Sequence, residues 1–264
     1  MRTGQRRREI LRQLFLTGYV EVKEFAASLG VDSSTIRRDL DALARSGHLK
    51  RTHGGARPLP GAVDVPYAVK QHERMAAKDA IAAVASELVG DGDSVLLDSG
   101  STTHQLALAL RSRRDLTVIT NDVLIARLMA DHPGIRLMVI GGELLSSTYT
   151  LFGDRAVGFV EDLRVDWAFL GADAIDLTAG ITNTNTLEIP LKRAMIAAGR
   201  TTVVLADSTK FGKHALVRVA GVHEVDRILT DDELAAEEAD RFGELLLRAP
   251  AAPAITAAAA GELS

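Results

Sequence analysis

Residues 20–56 read VEVKEFAASLGVDSSTIRRDLDALARSGHLKRTHGGA, and their spacing predicts two short helices joined by a tight turn and followed by a hairpin. Residues 22–29 suit a helix, because Phe25, Ala26 and Leu29 recur at three and four. Gly30 then ends it, being the residue best able to take a left-handed cap. Asp32 can open the next helix by accepting the backbone N–H groups of its first turn. Along that helix Ile36, Leu40 and Leu43 fall in a narrow arc, which turns Ser34, Arg38 and Asp41 outward and sets Arg37 on the flank. Before this pair, residues 5–17 place Ile10, Leu11, Leu14 and Phe15 on one helical face. After it, residues 48–55 read as a short β-ribbon, or wing, bearing Lys50 and Arg51. Two arginines near the start of a helix that follows a tight turn suit a helix-turn-helix, whose second helix enters the major groove and sends long donors to bases and phosphates. Spacing alone leaves a second reading open, a three-helix structural module with a solvated charged face.

Charge separates the two ends of the chain. Residues 1–57 carry 12 Lys and Arg against 6 Asp and Glu, a net +6, whereas the remainder carries 19 against 29, a net −10. One end is built to approach a polyanion and the rest is not. The 264 residues exceed the ~100–200 typical of one domain, and 47% of them are hydrophobic, so two domains with a sizeable core are expected. The absence of cysteine excludes disulfides, thiolate metal sites and cysteine nucleophiles, and favours a reducing cytoplasm. No apolar run approaches the ~18 residues of a membrane helix, and no signal-peptide pattern follows Arg6, Arg7 and Arg8. No membrane partner, cofactor or metal is therefore expected.

The stretch quoted above resembles the DNA-binding domain of the DeoR family of bacterial transcription regulators. Leu29-Gly30-Val31, Thr35-Ile36-Arg37-Arg38-Asp39-Leu40 and His53-Gly54-Gly55-Ala56 carry the resemblance, as an ordered set with a wing at fixed distance. It implies DNA contact by Ser34, Thr35, Arg37 and Arg38 and phosphate contact by Arg51. Asp32 stands where the family more often has Ser, which keeps the cap but adds a negative charge.

Pro58, Pro60, Gly61 and Pro66 interrupt all periodicity, so the domains divide as 1–57, a linker 58–70, a large domain 71–248 and a tail 249–264, disordered for want of large apolar groups. Helical pattern resumes over 71–89. Beyond it, apolar runs short enough for buried strands occur at 94–97, 116–120, 135–140, 166–170, 202–206 and 227–230, with helical stretches at 102–110, 123–131, 156–163 and 191–198 between several of them. This alternation argues an α/β domain with a mostly parallel sheet, which binds ligands at the carboxyl ends of its strands. Trp167 and Phe169 read as core, and residues 231–248 read as an acidic terminal helix. Polar residues follow five of the strands: Asp98, Ser99, Gly100, Ser101, Thr102 and Thr103 after the first, Asn121 after the second, Gly141 and Gly142 after the third, Asp173 after the fourth, and Lys210 after the fifth. In a parallel sheet these loops are expected to meet at one edge. Ser99, Gly100, Ser101, Thr102 and Thr103 at a helix start suit a phosphate, Asp173 can accept from sugar hydroxyls, and Lys210 can pair with an anion. A small polar anion such as a phosphorylated sugar is the ligand this chemistry favours.

The large domain is similar to the DeoR sensor domain, of the ribose-5-phosphate isomerase-like superfamily. The pieces that match include Asp98-Ser99-Gly100-Ser101-Thr102-Thr103, Gly171-Ala172-Asp173, Lys192-Arg193-Ala194-Met195-Ile196 and Asp207-Ser208-Thr209-Lys210. The resemblance implies a winged helix-turn-helix followed by a Rossmann-like sensor domain, in a repressor of a carbohydrate-utilisation operon released from double-stranded operator DNA by a phosphorylated sugar. A homodimer or higher homo-oligomer is expected, because such proteins read paired half-sites. Ile189-Pro190 stands where the family commonly has Ala-Glu, which bears on Glu188 because proline favours the first helical turn. Ala174 replaces a usual Gly. The competing class is an enzyme, a sugar-phosphate isomerase or deaminase. Isomerisation needs a general base, which the isomerases place after a glycine-rich loop that Ile181-Thr182-Asn183-Thr184-Asn185 lacks, so no catalytic residue is expected.

Overall fold

The basic end folds around a polar joint as well as an apolar core. In the computed structural model, which describes residues 1–58 and 67–250, it comprises α1 (Thr3–Thr17), β1 (Val20–Glu21), α2 (Val22–Leu29), α3 (Ser33–Arg45), β2 (Lys50–Thr52) and β3 (Gly55–Arg57). The Glu21 carboxylate caps α2 by accepting from the Lys23 and Glu24 N–H groups at 3.2 and 3.0 Å. Gly30 ends the helix at φ 62°, as its position predicted. Asp32 caps α3, accepting from the Ser34 N–H at 2.7 Å. The three strands pair antiparallel in the order β1-β3-β2. Their turn explains the paired glycines: Gly54 sits at φ 83°, and a side chain on Gly55 would strike the Val20 carbonyl and the Tyr19 ring.

Ile10, Leu14, Ile36 and Leu40 are fully buried between the helices, and Leu49 is almost so. Each such side chain contributes ~1.5–3 kcal/mol. Asp39 lies on the buried side of α3, where the Nε–H groups of Arg6 and Arg7 donate to its two carboxylate oxygens. This joint fixes the start of α1 against the middle of α3.

The larger unit begins with α4 (Tyr67–Lys70) and α5 (Met75–Glu87). The last four residues of the stretch read as linker are thus helical. There follow β4 (Ser94–Leu97), α6 (Ser101–Leu110), β5 (Leu116–Thr120), α7 (Val123–Ala130) and β6 (Ile135–Val139), then the hairpin β7 (Glu143–Leu145) and β8 (Thr150–Phe152), and α8 (Asp154–Glu161). The chain returns through β9 (Val165–Gly171), β10 (Ala174–Asp176), β11 (Gly180–Asn183), α9 (Ile189–Ala198), β12 (Gly199–Leu205) and β13 (Val217–Ala220). It ends in β14 (Arg227–Asp231), α10 (Ala236–Asp240) and β15 (Leu246–Ala249). Seven strands form one parallel sheet in the order β15-β14-β12-β9-β4-β5-β6, the expected architecture. Apolar clusters cover both faces: Leu106, Leu110 and Phe169 belong to one, Leu96, Leu191 and Met195 to the other. A small antiparallel sheet, β10-β11-β13, stands beside them.

The expected terminal helix over 231–248 is corrected. Only α10 is α-helical, Gly243 at φ 55° opens a short 3-10 turn that ends at Leu245, and β15 then pairs parallel with β14. Leu246 and Leu247 pack on opposite faces of the sheet, a period of two that a strand meets and a helix does not. The tail assigned to 249–264 begins inside this strand, where Ala249 is fully buried, and residues 251–264 lie outside those described.

Asp39→Ala would leave the buried Arg6 guanidinium unmatched. We expect it to lower stability by ~3–5 kcal/mol, the usual cost of breaking a buried pair. Asp41→Ala, which removes the exposed partner of Arg51, should cost ~0–1 kcal/mol. Urea unfolding of the full chain followed by circular dichroism checks both, and equal effects would contradict the contrast.

Candidate functional site

Strand order locates the principal site. From β4 the chain proceeds outward to β5 and β6, and from β9 it proceeds the other way to β12, β14 and β15. Neighbouring loops therefore diverge where β4 meets β9, and such a switch point leaves a crevice at the carboxyl ends of the strands. A cleft of about 840 Å³, open to solvent, lies there and is lined by residues following β4, β9 and β12.

On one wall, Ser99, Gly100, Ser101, Thr102 and Thr103 open α6. Gly100 takes the cap position and no side chain caps the helix, which leaves first-turn donors for another acceptor. The loop is held from behind by Asp122, which caps α7 through the Leu124 and Ile125 N–H groups at 2.7 and 3.0 Å and also accepts from Ser99 Oγ at 3.2 Å. Burial pushes the Asp122 carboxyl up to about 6. On the facing wall, Asp173 follows β9 and Lys210 closes a short turn after β12. Asp173 accepts from Lys70 Nζ at 3.1 Å and from the Thr184 N–H at 2.9 Å. Burial would raise its carboxyl, but Lys70, the hydrogen bonds and Lys210 outweigh burial and hold it well below the usual carboxylate range.

Seven of the ten positions expected to bind the effector line this cleft, and three do not. Asn121 is buried with its amide donating to the Leu151 carbonyl at 3.2 Å, and so anchors the β7–β8 hairpin. Gly141 is exposed, and Gly142, at φ 143°, passes so close to the Phe152 carbonyl that a side chain would collide with it. The expectation that five loops meet at one place is corrected: the chain after β6 reaches the cleft only farther along, where Thr148 and Thr150 line it and Thr150 Oγ1 lies 2.7 Å from Ser99 Oγ, and Asn121 after β5 is turned to the hairpin instead.

Other groups line the cleft beyond the positions expected to bind the effector. Lys192 is buried, paired with Asp98, and donates to the Gly171 carbonyl at 2.9 Å. Glu188 is buried and accepts from the Asn185 amide at 2.8 Å, while Pro190 occupies the first turn of α9 beside it. Tyr67 and Lys70 come from α4, Lys78 from α5 and Arg74 from the position just before α5, all upstream of the sheet. Burial lowers the Lys78 ammonium to about 8. For the four upstream residues the available signal was Lys78, an isolated cation in the alanine-rich run Met75-Ala76-Ala77-Lys78-Asp79-Ala80.

The second surface is the outer face of α3. Ser34, Arg37 and Arg38 are exposed there and Thr35 is partly covered. Arg38 folds back on the helix start, 3.3 Å from both the Ser34 carbonyl and its hydroxyl. Arg51 bridges the wing to α3, its guanidinium donating to Asp41 Oδ1 at 2.8 Å and to the Gly55 carbonyl.

Comparison with known proteins agrees with this arrangement. Residues 6–59 match a DeoR-like helix-turn-helix domain and residues 73–232 a DeoR C-terminal sensor domain. The chain is 32% identical over 238 residues to a putative aga operon transcriptional repressor of Escherichia coli O157:H7, covering 89% of this chain and 88% of that protein. It is 30% identical over 231 residues to the glycerol-3-phosphate regulon repressor of E. coli K12, covering 88% and 92%. Ribose 5-phosphate isomerase A of Methanocaldococcus jannaschii is 21% identical over 51% of this chain and 53% of that one, with a TM-score of 0.38. Among the described residues no helix is long and apolar enough to cross a membrane. The sequence relatives are transcriptional repressors and not enzymes, so the isomerase or deaminase alternative is not favoured. The chain belongs to the DeoR family of DNA-binding transcriptional regulators.

Proposed function

We propose that this protein represses a carbohydrate-utilisation operon as a cytoplasmic homodimer or higher oligomer, and that a phosphorylated sugar in the cleft releases it from its operator. The observation that carries this reading is the pairing of an uncapped helix start with cations in one cleft: α6 opens with Ser101, Thr102 and Thr103, and Lys78 and Lys210 also line the space. Free N–H groups, a helix dipole and ammonium groups together favour a phosphate. Asp173 supplies an acceptor for sugar hydroxyls. Repressors named for the aga operon and the glycerol-3-phosphate regulon among the relatives support the same class of ligand. On α3, Ser34, Thr35, Arg37 and Arg38 would face the major groove and Arg51 the backbone. Neither cofactor nor catalytic residue enters this scheme.

Calorimetry with glycerol 3-phosphate and hexose phosphates, against their unphosphorylated counterparts, tests it. Lys210→Ala and Asp173→Ala should each abolish effector-dependent release from a duplex selected by the protein from a random pool, with DNA binding retained in Lys210→Ala. Intact release in both variants would place the effector elsewhere.

The same site predicts a pH optimum. A lysine binds an anion in its charged form, so affinity should fall as pH rises through about 8 and Lys78 loses its proton. Below about 6 the phosphate itself loses its second charge, and affinity should fall again. Titration at pH 8 in buffers of different ionisation enthalpy should show proton uptake on binding, because a bound phosphate raises the Lys78 ammonium. No uptake would remove Lys78 from the phosphate contacts.

For the DNA face, Arg38→Ala should cost ~1–3 kcal/mol on the selected duplex and relax its sequence preference. Fluorescence anisotropy on selected and scrambled duplexes separates a base contact, which affects the first, from a phosphate contact, which affects both.

A further inference from the structure

The helix α4 belongs both to the cleft and to the core that carries α3. Its Val69 is buried in the same cluster as Ile10, Ile36 and Leu40, the core that positions α3. Its other side reaches the cleft. The Tyr67 ring meets the rings of His104 and Tyr149 edge-on, with centroids 6.0 and 6.2 Å away, and the Tyr67 N–H donates to the Ser147 carbonyl at 2.9 Å. Lys70 Nζ pairs with Asp173 at 3.1 Å, and the Lys70 carbonyl accepts from Lys78 Nζ at 2.5 Å. Just downstream, Arg74 holds the left-handed conformation at φ 55°, unusual for a residue with a side chain, and its guanidinium bonds Asp231 and Glu233 on the sheet domain at 3.2 and 2.7 Å. The connector is thus braced at its far end, and its first turn touches effector loops and DNA-binding core together.

We propose that Lys70 is an effector contact carried by the connector, and that the effector acts by parting Lys70 from Asp173, which shifts Val69 in the core beneath α3. This rests on the sugar-phosphate reading given above. The chemistry of the pair sets the requirement on the ligand. A phosphate competes for the ammonium and leaves Asp173 unmatched; a polyol competes for the carboxylate and leaves Lys70 without this partner. A molecule with both groups satisfies both charges at once, so it alone separates them without stranding a partly buried charge. Inorganic phosphate or a free sugar should occupy the cleft weakly and release no DNA.

The test uses the full chain and the ratio of duplex dissociation constants with and without saturating glycerol 3-phosphate, fructose 6-phosphate or glucose 6-phosphate. Typical coupling gives the wild type a ratio of about 5 to 150 with the best of these. Inorganic phosphate and glycerol should leave the ratio within about twofold of unity, as should any of the three phosphates with Lys70→Met, while Lys70→Arg restores most of the wild-type ratio. Because Lys70→Met could disturb folding, Val69→Ala provides a second variant at a residue outside the cleft: calorimetric affinity for the sugar phosphate should stay within twofold of wild type while the ratio falls at least threefold. A wild-type ratio that survives in both Lys70→Met and Val69→Ala, or release by inorganic phosphate alone, overturns this inference and leaves the sugar-phosphate reading standing. No release of the wild type by any of the three phosphates overturns both.

Discussion

An ammonium taken out of water costs several kcal/mol unless a negative charge and hydrogen bonds replace its hydration. Lys192 meets that condition where β4 and β9 end: its Nζ pairs with Asp98 and donates to the Gly171 carbonyl at 2.9 Å, and Asp98 in turn accepts from the Gly171 N–H at 3.0 Å. Burial alone would lower the Lys192 ammonium, but Asp98 and Glu188 outweigh it and keep it charged. Three elements distant in sequence, the ends of β4 and β9 and the helix α9, are therefore held at one point. The loops on either side of that point form the two walls of the cleft, and neither can move without exposing or stranding a buried charge. A hydrophobic contact there would pack as well, but it would not distinguish one strand neighbour from another.

The large elements were legible because their signals are local. Every strand of the parallel sheet except β15 is an apolar run bounded by polar turns, and both caps of the helix-turn-helix are single residues, Gly30 and Asp32, whose chemistry names their place. What escaped depended on partners. The strands of the small antiparallel sheet are three or four residues long, too short to show a period. Leu246 and Leu247 look helical beside an acidic run and become strand only because β14 offers an open edge. Asp39 reads as one more charge on a charged helix until Arg6 and Arg7, more than thirty residues earlier, close on it.

The proposed effector site divides the same way. Ser99, Gly100, Ser101, Thr102 and Thr103 were legible because a run of small polar residues between a strand and a helix is a local pattern with a direct use. Asn121, Gly141 and Gly142 follow strands too, yet they stand outside the cleft, since the Asn121 amide is taken by the Leu151 carbonyl and the chain after β6 enters the cleft only at Thr148 and Thr150, which composition does not record. Lys70 and Lys78 lie upstream of the first sheet strand, and only the return of α4 and α5 across the switch point brings them in. Four of the nine charged residues that line the cleft, Lys70, Glu73, Arg74 and Lys78, thus precede the first sheet strand, where no strand-end rule would look.

That placement bears on how two units of one chain can influence each other. A ligand shifts a conformational balance only by as much as it prefers one state, so the contact it disrupts must be neither negligible nor prohibitive. The exposed pair of Arg51 and Asp41 belongs to a class worth ~0–1 kcal/mol, too weak to hold a domain. A fully enclosed pair such as Lys192 and Asp98 belongs to one that costs ~3–5 kcal/mol to break, more than coupling between sites usually supplies. Lys70 and Asp173, with side chains 25% and 17% exposed, stand between these limits. The ~1–3 kcal/mol typical of allosteric coupling falls in the same interval. Of the three ion pairs, this is the one a small ligand can open, and it sits on the only described helix that is anchored in the DNA-binding core and lines the cleft as well.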